Sequence, residues 1–425
     1  MKPAARAVLP LLAATLAAAP GLTARAAVLD VRPGDLQDAV AHAMPGDVLR
    51  LAAGTYRSNV TIDVPGITLE GEPGAVIDGG EHGRTIWMSA PNVTLRHLTI
   101  FHSGVDLPAM DAGVFLDKTA DRVRVEDNVF QDNVIAVYVW GPHDAVVARN
   151  EIHGLTALRR SERGSAITMW NAPGTRILDN TVESGRDGVF SVSSRDNTVH
   201  GNRFRDVRFA VHFMYTNNSE VSDNVSLHND VGYVLMYSDV LRITGNLSRG
   251  DRDHGLLFNY ANKSTIEDNV VQGGEKCVFI YNANMNRFAR NWFEGCDIGI
   301  HFTAGSERNQ MTGNAFVANH TQVMYVGTRS LDRVVNGRGN YWSDNAAFDL
   351  NGDGITDEAY RPNDVVDQVV WRAPAAKLLL NSPAVQVVRW AQKQFPAIHP
   401  GGVIDSAPLM APLRPRALAP GDAVR

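Results

Sequence analysis

The sequence predicts an all-β fold, a right-handed parallel β-helix of about 22 residues per coil with an N-terminal helical cap and a C-terminal helical segment. Three observations lead there. Ten asparagines, Asn128, Asn150, Asn180, Asn202, Asn224, Asn246, Asn269, Asn291, Asn314 and Asn340, recur at spacings of 22, 30, 22, 22, 22, 23, 22, 23 and 26. The positions three before and two after each are mostly apolar, from Val125 and Phe130 to Met311 and Phe316, with Ser226 and Ser248 departing; this is strand alternation on either side of a bend. Eight residues past most of these asparagines a further strand opens on a small residue, as at Ala136, Gly188, Ala210, Gly232, Cys277 and Gly299.

The second and fourth places of that further strand are apolar, as in Val137 and Val139, Val211 and Phe213, Tyr233 and Leu235, Ile300 and Phe302, and should fill the interior. A helical leucine-rich repeat of similar length would need a Leu-x-x-Leu-x-Leu lattice, and there is none. Coils stack at ~4.8 Å, so identical positions form columns and the apolar ones a continuous core. The recurring Asn is expected in a left-handed backbone position at a corner, its amide hydrogen-bonding along the stack. At the N-terminus, "LQDAVAHAMPGDVLRLAAGTY" reads as a short helix burying Leu36, Ala39, Val40 and Ala43, a Pro-Gly-Asp turn and a strand ending at Gly54-Thr55-Tyr56. Such a helix covers the open end of a solenoid. Insertions at 103–112 and 154–164 share one offset and should meet at one edge; the basic cluster Arg159, Arg160 and Arg163 on the second reads as a partner contact or as a solvated loop.

Composition narrows the function classes. The 425 residues are 44% apolar and 20% charged, enough for a large core and too apolar for a disordered chain. Lys2 and Arg6, the apolar run Ala7 to Ala19 and Ala24-Arg25-Ala26 form a secretory signal peptide over residues 1–26. Its removal takes three positive charges and moves the net charge from −6 to −9, which disfavours nucleic acid as a partner. No later apolar run reaches the ~18–20 residues of a membrane span, so a soluble, periplasmic protein is expected. Cys277 and Cys296 are 19 residues apart, three short of a coil. They are therefore offset along the stack, and a disulfide between them would need a distorted turn; free or paired stays open at this stage.

The β-helix is expected over 27–343 and a distinct C-terminal segment over 344–425. In "DLNGDGITDEAY", Asp349, Asn351, Asp353, the Ile355 carbonyl and Asp357 take places 1, 3, 5, 7 and 9 of a calcium loop, with Gly354 at the sharp turn. Place 12 is Tyr360 instead of a bidentate Glu, so Asp344 or Asp364 completes the shell, or the site is weak, or the segment is an Asx-rich turn. Further on, Ser382 as N-cap and Pro383 at the first position open a helix whose Ala384, Val387, Val388, Ala391 and Phe395 recur on one face, for capping or docking.

Parallel β-helices often act on polysaccharides, and an extracytoplasmic uronate lyase or epimerase would work through His143 and Asp144. Gly141-Pro142-His143-Asp144 partly resembles the Asp-Pro-His-Asp segment of alginate epimerases, with Gly141 where that pattern has an acid, and no stacked carboxylate column accompanies it. The outward strand positions carry imidazole, thioether and aromatic groups instead. His212, Met214 and Met236 fall on neighbouring outward positions, His254 lies in the turn just before the next such strand, beside Asp253, and His301 takes an outward position further along. Thioether with imidazole suits transient Cu(I); alternatively Met and His cover a groove where another domain packs.

The run "GNYWSDNAAFDLNGDGITDEAYRPNDVVDQVVWRAPAAKLLLNSPAVQVVRWAQKQFP" (339–396), after an Asn-punctuated β-helix, closely resembles the NosD family of accessory proteins in nitrous oxide reductase maturation, part of denitrification. The resemblance covers the mature chain and is most specific in the C-terminal segment. It implies a non-enzymatic, periplasmic role beside an ABC-type permease and its cytoplasmic ATPase. Copper would arrive from a chaperone lipoprotein for the centres of nitrous oxide reductase, and the membrane would be met only through the permease. It further implies that the 378–395 helix, with Val387, Val388, Ala391 and Phe395, contacts the permease. The copper ligands are not singled out by it; His212, Met214, Met236, His254 and His301 rest on stacking alone.

Overall fold

The structure, a computed structural model, describes residues 26–303, 305–325, 331–332, 337–363, 365–379, 382–395 and 402–415. The expected signal peptide, apart from Ala26, and Asp364 lie outside the described residues. The chain winds into a parallel β-helix in which a coil adds one strand to each of three sheets, of 13, 13 and 12 strands. One coil shows the plan: Arg124–Glu126 joins the first sheet, Val129–Asn133 the second and Val137–Trp140 the third. Each strand pairs in parallel with the equivalents in the coils before and after, Arg124 for example with Thr94 and Val146.

The alternation seen in the sequence is the division between inside and outside. Val125, Phe130, Val137 and Val139 from that coil are fully buried, as are Ile243, Phe258, Phe288, Phe293, Phe302 and Phe316 further along, in one continuous core. Ser226 and Ser248, which break the apolar rule, also point inward. Both hydroxyls donate to Asp251 Oδ2, at 2.7 and 2.6 Å, and Asn229 N donates to its Oδ1 at 2.8 Å. Burial still prevails over these bonds and holds the Asp251 carboxyl above its ordinary range.

The asparagines form a ladder through the core. Asn150 Oδ1 accepts from the backbone N and Nδ2 of Asn128, while its own Nδ2 donates to Val125 O and to Asn180 Oδ1. The pattern continues to Asn340. The left-handed corner residue, however, is the one before each Asn from Asn128 to Asn314, and not the Asn itself. Asp127, Arg149, Asp179, Gly201, Asp223, Gly245, Asp268, Arg290 and Gly313 all have φ between 52° and 71°. That kink turns the following Asn side chain inward, where its amide is needed as both donor and acceptor for backbone groups cut off from water.

Cys277 and Cys296 are joined in a disulfide with Cα atoms 5.7 Å apart. The distorted turn anticipated from their spacing is absent. Cys277 lies level with Gly299 in the third sheet, and Cys296 sits at the corner three residues before Gly299, so their offset bridges neighbouring coils while Val278–Ile300 pairing stays in register.

The N-terminal cap is the helix Leu36–His42, with Leu36 and Val40 buried and Ala39 and Ala43 packed on the core. Irregular chain packs on the C-terminal end of the core. Trp342 stacks between Phe316 and Tyr360, and Tyr341 and Ile355 both bridge to Leu409. A further helix, Val365–Arg372, was not anticipated; it buries Val366 and Val370. No helix among the described residues is long and apolar enough to cross a membrane.

Candidate functional site

The third sheet carries the candidate residues on its outward face. Strand Phe209–Met214 alternates Val211 and Phe213 inward with His212 and Met214 outward. Parallel register sets His212 between Phe190 and Val234, and Met214 beside Met236, as the coil spacing predicts, so one imidazole and two thioethers occupy adjoining positions ~5–7 Å apart.

His212 is nearly buried, with Phe190 at 4.8 Å and Phe209 edge-on at 5.1 Å between ring centroids. Its Nδ1 lies 3.3 Å from Asp187 Oδ2, and Arg208 holds the same carboxylate through Nε and Nη2, at 2.8 and 2.7 Å. Burial works to raise the Asp187 carboxyl, but the bonds from His212 and Arg208 outweigh it and keep the group below the ordinary carboxylate range. Nδ1 faces the ionised Asp187, and Nε2 is buried and without a partner, so the neutral ring with its proton on Nδ1 offers Nε2 as a lone-pair donor. This carboxylate–imidazole arrangement orients metal-binding histidines generally.

His254 and His301 form a second group, not part of the first. His301 is four strands beyond His212 on the same column, ~19 Å along the axis. Phe279 stands between the two imidazoles, edge-on to His254 at 5.3 Å and to His301 at 5.1 Å. His254 Nδ1 and both nitrogens of His301 are buried without partners. Burial, then nearby Lys276, pushes His254 below its ordinary value, and burial, Lys276 and His254 push His301 down to about 4. Both rings are therefore neutral. Met324, in register with His301 on the next strand, adds a thioether that the sequence reading overlooked; its signal was a separation of 23 residues, one coil. Asp187 was overlooked likewise, because it sits a coil before the histidine it orients.

The remaining predicted residues fall elsewhere. The insertions do meet at one edge, where a Cβ on Gly164 would lie 3.1 Å from Leu107. Arg160 reaches across to Asp230, both carboxylate oxygens at 2.9 Å, and Arg163 donates to the carbonyls of Leu158 and Thr156, while Arg159 precedes the short turn Arg160–Glu162. In the calcium-type loop, Asp349 accepts from the backbone N of Gly352, Asp353 and Gly354, Asn351 from Asp353 N, Asp353 from Ile355 N, and Asp357 from Leu350 N. Asp344 accepts from Tyr360 O–H. These oxygens serve the turn itself, the Asx-rich alternative, and no group of three or more His, Cys, Asp or Glu poised for a metal occurs among the described residues. His143 borders an open groove of about 720 Å³, and Asp144 lies against Gly174 outside that lining. On the helix Pro383–Gln394, capped by Ser382 Oγ as expected, Val387, Val388 and Phe395 are exposed and Ala391 is half-buried.

Residues 148–347 match a family described as "Periplasmic copper-binding protein (NosD)". The chain is 43% identical over 376 residues to "Probable ABC transporter binding protein NosD" of Stutzerimonas stutzeri, covering 85% of this chain and 86% of that one. It is 38% identical over 374 residues to the protein of the same description from Pseudomonas aeruginosa, covering 85% and 87%. Among solved structures it is similar to the Dettilon tailspike protein, with a TM-score of 0.49, 14% identity and coverage of 69% and 64%. Both relatives are named for binding, not for catalysis, and at such identity over nearly the whole length the chain belongs to the NosD family of periplasmic copper-binding proteins.

Proposed function

We propose that this protein is a non-enzymatic periplasmic scaffold that takes up Cu(I) as cargo and presents it for assembly of the copper centres of nitrous oxide reductase. In this reading a chaperone lipoprotein delivers copper, and an ABC-type permease with its cytoplasmic ATPase resets the scaffold. The observation that carries it is the unpartnered Nε2 of His212, oriented by Asp187, beside the thioethers of Met214 and Met236. Soft donors in low number hold Cu(I) and still release it, whereas a closed four-ligand cage would not. His254, His301 and Met324 form a second soft-donor station on the same face. The exposed Val387, Val388 and Phe395, with Ala391, form the docking surface toward the permease.

Anaerobic Cu(I) titration against a chromophoric competitor tests the assignment. Affinity should fall when His212 and Met214 are both replaced by Ala, and fall less for His254 and His301. Unchanged affinity in the first variant sinks the His212 site.

A further inference from the structure

We propose that the groove bordered by His143 and Tyr215 is a binding site for a pyranoside oligosaccharide, distinct from the copper-handling face. Its lining comes from successive coils: His143, then Asn171 and Pro173, then Ser193, Ser194, Arg195 and Asp196, then Tyr215, Asn217 and Asn218. Four coils give a trough ~14 Å long. One coil per step is close to the rise of one unit in a 1,4-linked glycan, so each sugar would meet an equivalent set of backbone corners.

The wall at the far end is unusual. Tyr215, Tyr237 and Tyr260 occupy left-handed corners, with φ of 51°, 49° and 52°. The same corner is Gly141, Asn171 and Ser193 in the coils before and Asn282 after, all likewise at positive φ. The rings stack at 5.1 and 5.2 Å with interplanar angles of 16° and 9°, which hides the faces between them. Tyr215 begins the ladder. Its column continues with Ser193, too small to cover it, so one flat face of Tyr215, 51% exposed, looks into the groove.

A sugar presents just what these walls match: an apolar C–H face for the ring and hydroxyls for the sides. The side wall is already organised for hydroxyls. Asn218 Nδ2 donates to Asp196 Oδ1 at 2.6 Å, and Arg195 Nε lies 3.7 Å from Asp196 Oδ2, so acceptor and donors are fixed together without net charge. A planar aromatic guest would use the ring but leave these polar groups unpaired, at a cost. His143 and Asp196 both line the groove, where they offer further hydrogen-bond partners to a bound glycan.

Calorimetry and saturation-transfer NMR on the full chain, with chitotetraose, cellotetraose and tetramannuronate as probes, test this. At least one probe should bind, with affinity falling about tenfold in Tyr215→Ala and staying within about twofold in Tyr215→Phe, which keeps the flat face. Asp196→Ala should weaken binding too, while Tyr260→Ala, inside the ladder, should not. Circular dichroism verifies that each variant is folded. Absence of binding by all three probes, or equal binding by folded Tyr215→Ala, overturns the proposal. Cu(I) titration of the same variants reports separately on the copper reading, which can fail without touching this one.

Discussion

Asn340 donates its backbone N–H to Asp405 Oδ2 at 2.7 Å, so the asparagine ladder that starts at Asn128 ends on a carboxylate 65 residues further along the chain. The same oxygen also accepts from Asn340 Nδ2 at 3.2 Å and Trp342 Nε1 at 2.8 Å, and Oδ1 from Ala407 N at 3.1 Å. Asp405 thus does for the last coil what the next Asn does for every other coil. Burial raises its carboxyl above the ordinary value despite these four donors. A Cβ on Gly339 would lie 1.8 Å from Asp405 Oδ1, so that glycine is required by close approach. Asp405→Ala should destabilise the chain by about 2–3 kcal/mol in urea unfolding by orphaning buried donors, and Asp405→Asn by less, because one oxygen still accepts.

The middle of the ladder should respond similarly. Asn246, 1% exposed, accepts from Asn224 N and Nδ2 and donates to Val221 O and Asn269 Oδ1. Asn246→Ala leaves the Asn224 donors unpaired and should cost about 2–3 kcal/mol, with hydrogen exchange of the Asn224 amide accelerated ahead of amides several coils away. Equal protection at both places would mean that the ladder carries no local stability.

What the sequence disclosed follows from what repeats. Column residues such as Val211, His212 and Met214 were placed correctly because a coil period fixes both neighbour and facing. Contacts that cross columns were not legible. Asp187 meets His212 by leaning sideways, Arg160 reaches over to Asp230, and the Cys277–Cys296 bridge uses a corner offset that a simple count of residues reads as mismatch. The left-handed position was misplaced by one residue because Asn is the type most tolerant of it, whereas the fold uses the Asn amide as a core hydrogen-bonding group and puts the kink on its predecessor. The C-terminal end escaped prediction for a related reason: its closure joins Trp342, Tyr360 and Asp405, far apart in sequence and outside any period.

The docking surface proposed for the permease makes a separable prediction. Val387 is 63% and Phe395 58% exposed on a helix whose N-cap and Pro383 give it a firm start. Val387→Asp with Phe395→Asp should leave the melting temperature within about 2 °C, since exposed sites contribute little to stability. The same pair should abolish co-purification with the permease. Retained co-purification would move the contact elsewhere.

His301 supplies a pH dependence whose sign is fixed by its surroundings. Burial, with Lys276 and His254 nearby, lowers its folded value from 6.5 to about 4, against a partial offset from Glu275. Between these two values the unfolded chain binds a proton that the folded chain refuses. The stability contributed by the neutral ring is therefore complete above pH 6.5 and is lost as pH falls toward 4. Water reaches part of the ring, so the effect is discounted to about 1–2 kcal/mol. His254 is displaced in the same direction and adds to the slope. Metal-free protein should accordingly show a urea midpoint that declines from pH 7 to pH 4, and His301→Phe, which keeps the aromatic contact with Phe279, should flatten part of that decline. An unchanged slope in a folded His301→Phe variant would show that the buried ring does not stay neutral.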